Sequence, residues 1–301
     1  MLQSFNTKNS DIKIFIKDKL YSRENAKVSV FDSSVQGGDA VWEGLRIYNE
    51  KIFCFDEHLN RLQESAKTLT FTDIPSKEFI RDAVIQTLKA NGMKDGAHVR
   101  LTLTRGEKIT SGMDPRLNQS GSCLIVLAEW KPPVYDNEKG IKLITSSIRR
   151  NSPQFLDSKI HHNNLLNNIL AKIEANYSDA DDALMLDKDG FVAETNATNL
   201  FMVKRGELNT PNADSCLPGI TRKLVIKIAE ELNLKCSERN ISLSEFYNAD
   251  EVFTSGTMGE LTKVFEIDGR KIENKNKSDI LGQINRKFNE LTISEGEKIN
   301  F

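Results

Sequence analysis

The chain of 301 residues carries 41 basic and 43 acidic side chains for a net charge of -2, and so lacks the basic surplus of a protein built to hold nucleic acid. Its length suffices for one large domain or two of ordinary size. With 39% hydrophobic residues, 17 glycines and 7 prolines, collagen-like, coiled-coil and low-complexity chains are excluded. No stretch approaches the roughly 20 apolar residues that cross a bilayer, and the N-terminal MLQSFNTKNSDIKIFIKDKL has no signal-peptide core. Cys54, Cys123, Cys216 and Cys236 lie far apart without a CxxC pair, which supports neither a zinc ribbon nor a dithiol redox motif. Reduced thiols in a soluble cytoplasmic protein are the expectation.

In chain order, Ile12 to Ile16 and Lys27 to Phe31 alternate with period two and read as strands, and Gly44 to Phe55 reads as a hairpin turning at Asn49-Glu50. Asp56 is the expected N-cap of a helix through Leu62 and Leu69, and Ser76 opens a second that stops near Gly92. Ala97 to Thr104 and Ser122 to Ala128 suit buried strands. Lys131 to Gly140, KPPVYDNEKG, has the composition of an interdomain connection. A strand at Ile141 to Ile148 and a helix from about Asn163 to Tyr177 follow, then strands around Asp182 to Leu186 and Leu200 to Val203 and a helix from Thr221 to Leu232. Strands near Leu234 to Glu238 and Glu251 to Thr254, a hairpin at Asp268-Gly269 and a helix from Ser278 to Leu291 complete the pattern. Many connections are shorter than a βαβ crossover requires. The expected architecture is therefore α+β, with a small lobe over 1–131, a linker over 132–140 and a large lobe over 141–301.

Several residues stand out chemically. Lys159 ends a polar stretch before an amphipathic helix whose stripe, Leu165, Leu166, Ile169, Leu170 and Ile173, reads as core. His161 and His162 are adjacent and lack the i, i+4 spacing of helical zinc ligands, so no metal is expected. Glu194 interrupts an apolar strand pattern, and a buried carboxylate needs a cation: either a scaffold arginine or lysine, or a protonated heterocycle. CLPGITRKLV places Gly219 before a helix beginning at Ile220 and Thr221, whose free amides suit an anion. TSGTMGEL, Thr254 to Leu261, offers a second small-residue turn.

Taken in order, GGDAVWEGLRIY (37–48), EHLNRLQESAK (57–67), HVRLTLTRG (98–106), Lys159 with its helix, ETNATNLF (194–201), LPGITR (217–222) and TSGTMGELTKV (254–264) resemble the class IV, fold-type IV, pyridoxal-phosphate aminotransferases. The resemblance is strongest to the branched-chain amino acid aminotransferases and implies two mixed α/β lobes of the D-amino acid aminotransferase type, with the cofactor between them. It further implies that Lys159 holds the cofactor as a Schiff base and shuttles the substrate proton. Glu194 would pair with the protonated pyridine nitrogen. Arg61, Ile220, Thr221 and Thr257 would hold the phosphate, Leu217 and Gly219 would also bind the cofactor, and Thr257 and Met258 would receive the substrate carboxylate. Trp42, Gly44, His98, Arg100 and Trp130 would wall the substrate pocket. The reaction implied is ping-pong transamination of leucine, isoleucine or valine with 2-oxoglutarate, in a homodimer without nucleic-acid or membrane partners.

Three positions depart from that pattern. Gly37 stands where an aromatic is usual, His98 replaces the tyrosine of Tyr-x-Arg, and Asn164 replaces a tyrosine that bonds the cofactor's phenolic oxygen. Substrate choice therefore stays open toward D-amino acids, (R)-amines or lyase chemistry on aminodeoxychorismate, with Arg100, Arg105 and Arg116 as candidates for a second carboxylate. A non-catalytic phosphometabolite binder is the reading from another class.

Overall fold

The computed structural model describes residues 4–301. In chain order the elements are β1 (Lys13–Ile16), β2 (Lys19–Ser22), α1 (Ser33–Gly37), β3 (Ala40–Tyr48), β4 (Lys51–Ile52), α2 (Phe55–Thr68), α3 (Lys77–Asn91), β5 (Ala97–Thr104), β6 (Cys123–Trp130), β7 (Ile141–Thr145), α4 (Leu166–Tyr177) and β8 (Asp182–Leu186). They continue as β9 (Val192–Thr195), β10 (Asn199–Lys204), β11 (Glu207–Pro211), α5 (Ile220–Glu231), β12 (Cys236–Arg239), α6 (Leu243–Tyr247), β13 (Glu251–Gly256), β14 (Glu260–Ile267), β15 (Arg270–Lys271), α7 (Ile280–Ser294) and β16 (Glu297–Lys298). Contacts divide the chain into an N-terminal unit, up to Pro132 with Ile160–Asn164 and Thr292–Phe301, and a C-terminal unit of Pro133–Lys159 with Leu165–Leu291.

The N-terminal unit is an antiparallel sheet in the order β16-β4-β3-β5-β6-β1-β2. One face carries Val41, Leu45, Ile47, Val99, Leu101, Leu103, Val126 and Ala128, which pack with Leu59 and Leu62 of α2 and Ile80, Val84 and Leu88 of α3 in one core. Helix α3 has the expected bounds because both are local chemistry: the Ser76 side chain accepts from Phe79 N–H, and Gly92 takes the left-handed conformation. Helix α2 begins one residue before the expected cap. Cys54, left-handed at φ 50°, precedes it, and Asp56 lies in its first turn.

Lys27 to Phe31 is not a strand. The hairpin β1–β2 ends the sheet, and Val28, Val30 and Phe31 are exposed; alternation marks a one-sided segment but supplies no partner strand. The expected linker contains no helix or strand, and the boundary between the two units falls at Pro132–Pro133. Pro133 to Gly140 belongs to the C-terminal unit, where Val134 N–H donates to Met258 O at 3.0 Å and the Tyr135 hydroxyl bonds Asp182. The chain end returns to the N-terminal unit as β16, against β4.

The C-terminal unit is a mixed sheet ordered β12-β11-β10-β13-β14-β7-β8-β9, with β15 added to β14. Pairs β11–β12, β14–β7 and β7–β8 are parallel. Helix α4 starts at Leu166 rather than Asn163, and it turns its small residues inward: Ala171 and Ala175 pack with Ala183 and Met185 of β8. The stripe expected to be core points outward, with Leu166 60%, Ile169 54%, Leu170 40% and Ile173 41% exposed. An alanine face lets a helix approach a sheet closely, and the larger residues then have no place beneath it. Among the described residues no helix is long and apolar enough to cross a membrane.

Candidate active site

In the C-terminal unit, β9 carries Glu194, paired across from Met185 of β8 and buried. Its carboxylate accepts from Asn199 Nδ2 at 3.0 Å and Leu217 N–H at 3.4 Å, and Arg150 Nε lies 2.8 Å away. Burial raises the pKa of Glu194 against the downward pull of Arg150 and the Leu217 amide. The scaffold cation that the sequence argument demanded is thus Arg150, a residue that argument did not single out.

Asn199 also donates to Leu217 O at 2.9 Å, which ties the loop before α5 to the same carboxylate. Gly219 is the N-cap of α5, and a Cβ there would collide with Asn199 Oδ1. The first turn of α5, with Ile220 and buried Thr221, consequently has no side-chain cap among the described residues. Helix α5 packs against β13. The end of that strand brings Ser255, whose buried Oγ has no hydrogen-bond partner among the described residues, into the turn of Thr257 and Met258. Uncapped amides at a twelve-residue helix and an orphaned hydroxyl form a donor-rich cradle that fits a phosphate.

Lys159 lies in the loop before α4. Its N–H donates to Asp157 Oδ1 at 3.0 Å, its Nζ lies 3.8 Å from the same oxygen, and the side chain is 46% exposed. Burial, followed by Glu194, pushes the Cys216 thiol up to about 12, with Arg222, Arg150 and Lys159 acting in the opposite sense. These charges, brought from β9, the α5 entry and the Lys159 loop, therefore act on one buried point.

The N-terminal unit holds a second constellation. Glu43 of β3 points to the core face, fully buried, where it takes a bidentate contact from Arg61 of α2, Nε to Oε1 at 2.8 Å and Nη2 to Oε2 at 2.7 Å. His58 Nδ1 meets Oε2 at 2.7 Å and His161 Nδ1 meets Oε1 at 3.1 Å; since a carboxylate only accepts, both nitrogens donate. Burial pushes Glu43 upward, but His161 and Arg61 outweigh it and hold the group well below the usual carboxylate range. Burial lowers His161 to about 4 against the pull of Glu43. We assign His161 as neutral and the charge balance to the Glu43–Arg61 pair. His161 Nδ1 serves Glu43, and the backbone carbonyl of His162 accepts from Trp42 Nε1.

The opposite face of this sheet carries Trp42 and Gly44 on β3 beside His98, Arg100 and Thr102 on β5. The Arg100 guanidinium lies 3.5 Å over the Trp42 ring, and its Nη2 donates to Asn163 Oδ1 at 2.7 Å. A Cβ at Gly44 would sit 3.2 Å from His98 Nε2, a buried nitrogen with no hydrogen-bond partner among the described residues. Burial lowers His98 to about 3, helped by Lys131, Arg46 and Arg100, and lowers Arg100 to about 10. At neutral pH this face therefore holds a neutral imidazole and a guanidinium cation. Two backbone bonds tie the 160–164 segment to β3: Trp42 N–H donates to His161 O at 2.9 Å, and Asn163 N–H donates to Ala40 O at 2.8 Å.

Placement bears on several of the expected residues. Trp130 pairs with Ala97, which puts it on the core face, where it packs against the core under Lys8. Arg105 and Arg116 line a cavity of about 530 Å³, but Arg105 is bidentate on Asp39 and Arg116 is bonded to Asp114. Asn164 is exposed, whereas its neighbour Asn163 makes the Arg100 contact.

The buried histidines predict acid sensitivity. His161 and His98 have folded pKa values below the unfolded value of about 6.5, so their stabilisation is complete above that pH and is lost as pH falls toward 4 and then 3. Glu43 acts in the same sense at lower pH, while Glu194 and Asp182, raised by burial, act oppositely. The thermal midpoint is expected to fall progressively below pH 6.5, and His98→Leu to flatten part of that fall. A midpoint constant from pH 7 to pH 4 would contradict the assignment of both histidines as neutral.

Residues 40–267 match the family model for amino-transferase class IV. The chain belongs to the class IV aminotransferases. It is 58% identical over 97% of its length to branched-chain-amino-acid aminotransferase-like protein 2 of Arabidopsis thaliana, and spans about half (52%) of that relative. A putative branched-chain-amino-acid aminotransferase of Methanocaldococcus jannaschii is 42% identical over 96% of this chain and 99% of its own. Among solved structures, the branched-chain amino acid aminotransferase of Thermobaculum terrenum in its PLP-bound holo-form superposes with a TM-score of 0.83 at 26% identity, covering 94% of each chain. A class IV aminotransferase fold thus carries the Glu194 cradle and the Trp42–Arg100 face.

Proposed function

We propose that this aminotransferase uses pyridoxal phosphate to move the amino group of leucine, isoleucine and valine to 2-oxoglutarate. The observation that carries the reading is the buried Glu194 carboxylate beside the uncapped N-terminus of α5 in one unit; the names of the relatives support the substrate class. When bound, the cofactor supplies a ring that takes up the electrons of the substrate Cα–H bond. Lys159 holds it and moves the proton to and from Cα. Glu194 would face the pyridine nitrogen, and the amides of Ile220 and Thr221 with the Thr257 turn would hold phosphate, whereas the Arg61 guanidinium expected there is committed to Glu43 in the N-terminal unit. The Trp42 ring takes an apolar side chain, while Arg100 and the free nitrogen of His98 take the second carboxylate of glutamate and 2-oxoglutarate in the other half of the cycle.

The test is a donor panel with 2-oxoglutarate as acceptor and glutamate formation as readout. Leucine, isoleucine and valine are expected to lead. Faster turnover of D-alanine or (R)-1-phenylethylamine would overturn the substrate class, and pyruvate release from aminodeoxychorismate without an acceptor would replace transfer by elimination.

A homodimer belongs to the same proposal. The outward stripe of α4, continued by Tyr177 at 89% exposure, is a contiguous apolar face of the kind that oligomers cover, and the free thiols accord with a reducing cytoplasm. Ile169→Lys is expected to convert a dimer mass in light scattering to a monomer mass. A wild-type monomer would contradict the dimer.

A further inference from the structure

Arg150 follows β7 and is buried, as is the carboxylate beside it. It is anchored independently of Glu194. Its N–H donates to Leu186 O at 2.9 Å and its Nη1 to Asn168 Oδ1 at 3.2 Å, and Asn168 in turn donates to Asn196 O at 2.8 Å. Its Nε lies 2.8 Å from Glu194 Oε1, and that contact pulls the carboxyl toward its ionised form. The other charges near Glu194 are differently committed. Arg222 is paired with Glu238 at 2.6 Å, Lys159 lies by Asp157, and the Cys216 thiol is neutral. Leu217 N–H and Asn199 Nδ2 add two dipoles but no net charge.

We propose that Arg150 is a positioning residue that keeps Glu194 ionised and thereby holds the proton between Glu194 and the cofactor's pyridine nitrogen on the nitrogen. The inference rests on the reading of Glu194 as the pyridine partner. One proton has two positions: a carboxylate facing a protonated ring nitrogen, or a carboxylic acid facing a neutral one. No electron moves between them. A cation beside the carboxyl favours the first arrangement, and burial without that cation favours the second. The ring withdraws electrons more strongly when its nitrogen is protonated, so Arg150 sets the strength of the electron sink without touching it.

The experiment loads the full chain with pyridoxal phosphate labelled with ¹⁵N in the ring and compares wild type, Arg150→Met and Arg150→Lys by ¹⁵N NMR at pH 7. Wild type and Arg150→Lys are expected to show a protonated ring nitrogen, and Arg150→Met a downfield shift toward the neutral ring. The rate of the half-reaction with L-leucine is expected to fall at least about tenfold in Arg150→Met, the equivalent of one pKa unit, and to stay within about twofold in Arg150→Lys. A protonated nitrogen in Arg150→Met, or a neutral one in wild type or Arg150→Lys, overturns the proposal. Should Arg150→Met fail to fold, Arg150→Gln takes its place, with the same downfield shift expected and an unmoved signal overturning the proposal. Failure of wild type to acquire a visible absorbance with the cofactor would refute the underlying cofactor reading instead; a normal absorbance with an unmoved ¹⁵N signal in Arg150→Met refutes only the role of Arg150.

Discussion

Lys159→Ala is expected to abolish amino transfer, with the half-reaction with L-leucine slowed by at least about 10⁴-fold, the upper range of general acid–base contributions. In the proposed mechanism one amine does two jobs: it would bond the cofactor and carry the substrate proton. The loop that presents it is held by Asp157, bonded to the Lys159 amide, and by Ser158, whose hydroxyl donates to Asn151 O at 2.8 Å. Removing the side chain leaves those backbone contacts in place, so the fold and the phosphate cradle of α5 should survive. The variant is therefore expected to bind pyridoxal phosphate without the visible absorbance of the lysine-bound form. A Lys159→Ala protein that still turns over within a factor of ten of wild type would remove Lys159 from the chemistry.

Glu43→Ala is expected to destabilise the protein by about 3–5 kcal/mol, the usual result of removing one partner from a buried ion pair. Three groups depend on that carboxylate: the Arg61 guanidinium, which loses its bidentate partner, and the Nδ1 donors of His58 and His161. All three lie where water cannot readily replace it. Glu43→Gln keeps the volume and one acceptor and should lose less. Urea unfolding followed by circular dichroism measures the difference; a change below about 0.5 kcal/mol for Glu43→Ala, the level of an inert surface substitution, would show that the cluster contributes nothing net.

Glu43 also shows where reading the sequence stopped short. It lies inside β3 at the same parity as Val41, Leu45 and Ile47, so period two alone puts a carboxylate on the core face. The argument that singled out Glu194, that a buried carboxylate demands a cation, applied equally to Glu43 and leads to Arg61. The same parity moves Trp130 off the Trp42–Arg100 face, because it pairs with Ala97 rather than His98. Elements bounded by local backbone chemistry were legible to the residue: Ala97 to Thr104 is β5, and Ser76 and Gly92 bound α3. So was the turn at Asn49-Glu50, where both residues take positive φ.

What covers a face was not legible. The α4 stripe has the periodicity of a buried face, but Ala171 and Ala175 on the other side are what meets β8. Periodicity reports that a helix has two sides; which side is buried within its own unit depends on how close the sheet must come. Arg150 had no signal at all, being one of two consecutive arginines in a polar stretch, and only the fold delivers it to Glu194. The segment entering α5 was legible because chemistry constrains it locally: glycine where Asn199 leaves no space for a Cβ, and threonine in the first turn of α5.

The central claim, that this chain holds pyridoxal phosphate on Lys159, is tested most directly by reducing the loaded protein with borohydride and locating the label by peptide mass. The account predicts loss of the visible absorbance and a reduced phosphopyridoxyl group on the peptide containing Lys159. A label on any other lysine, or none on a protein that has taken up the cofactor, would contradict it.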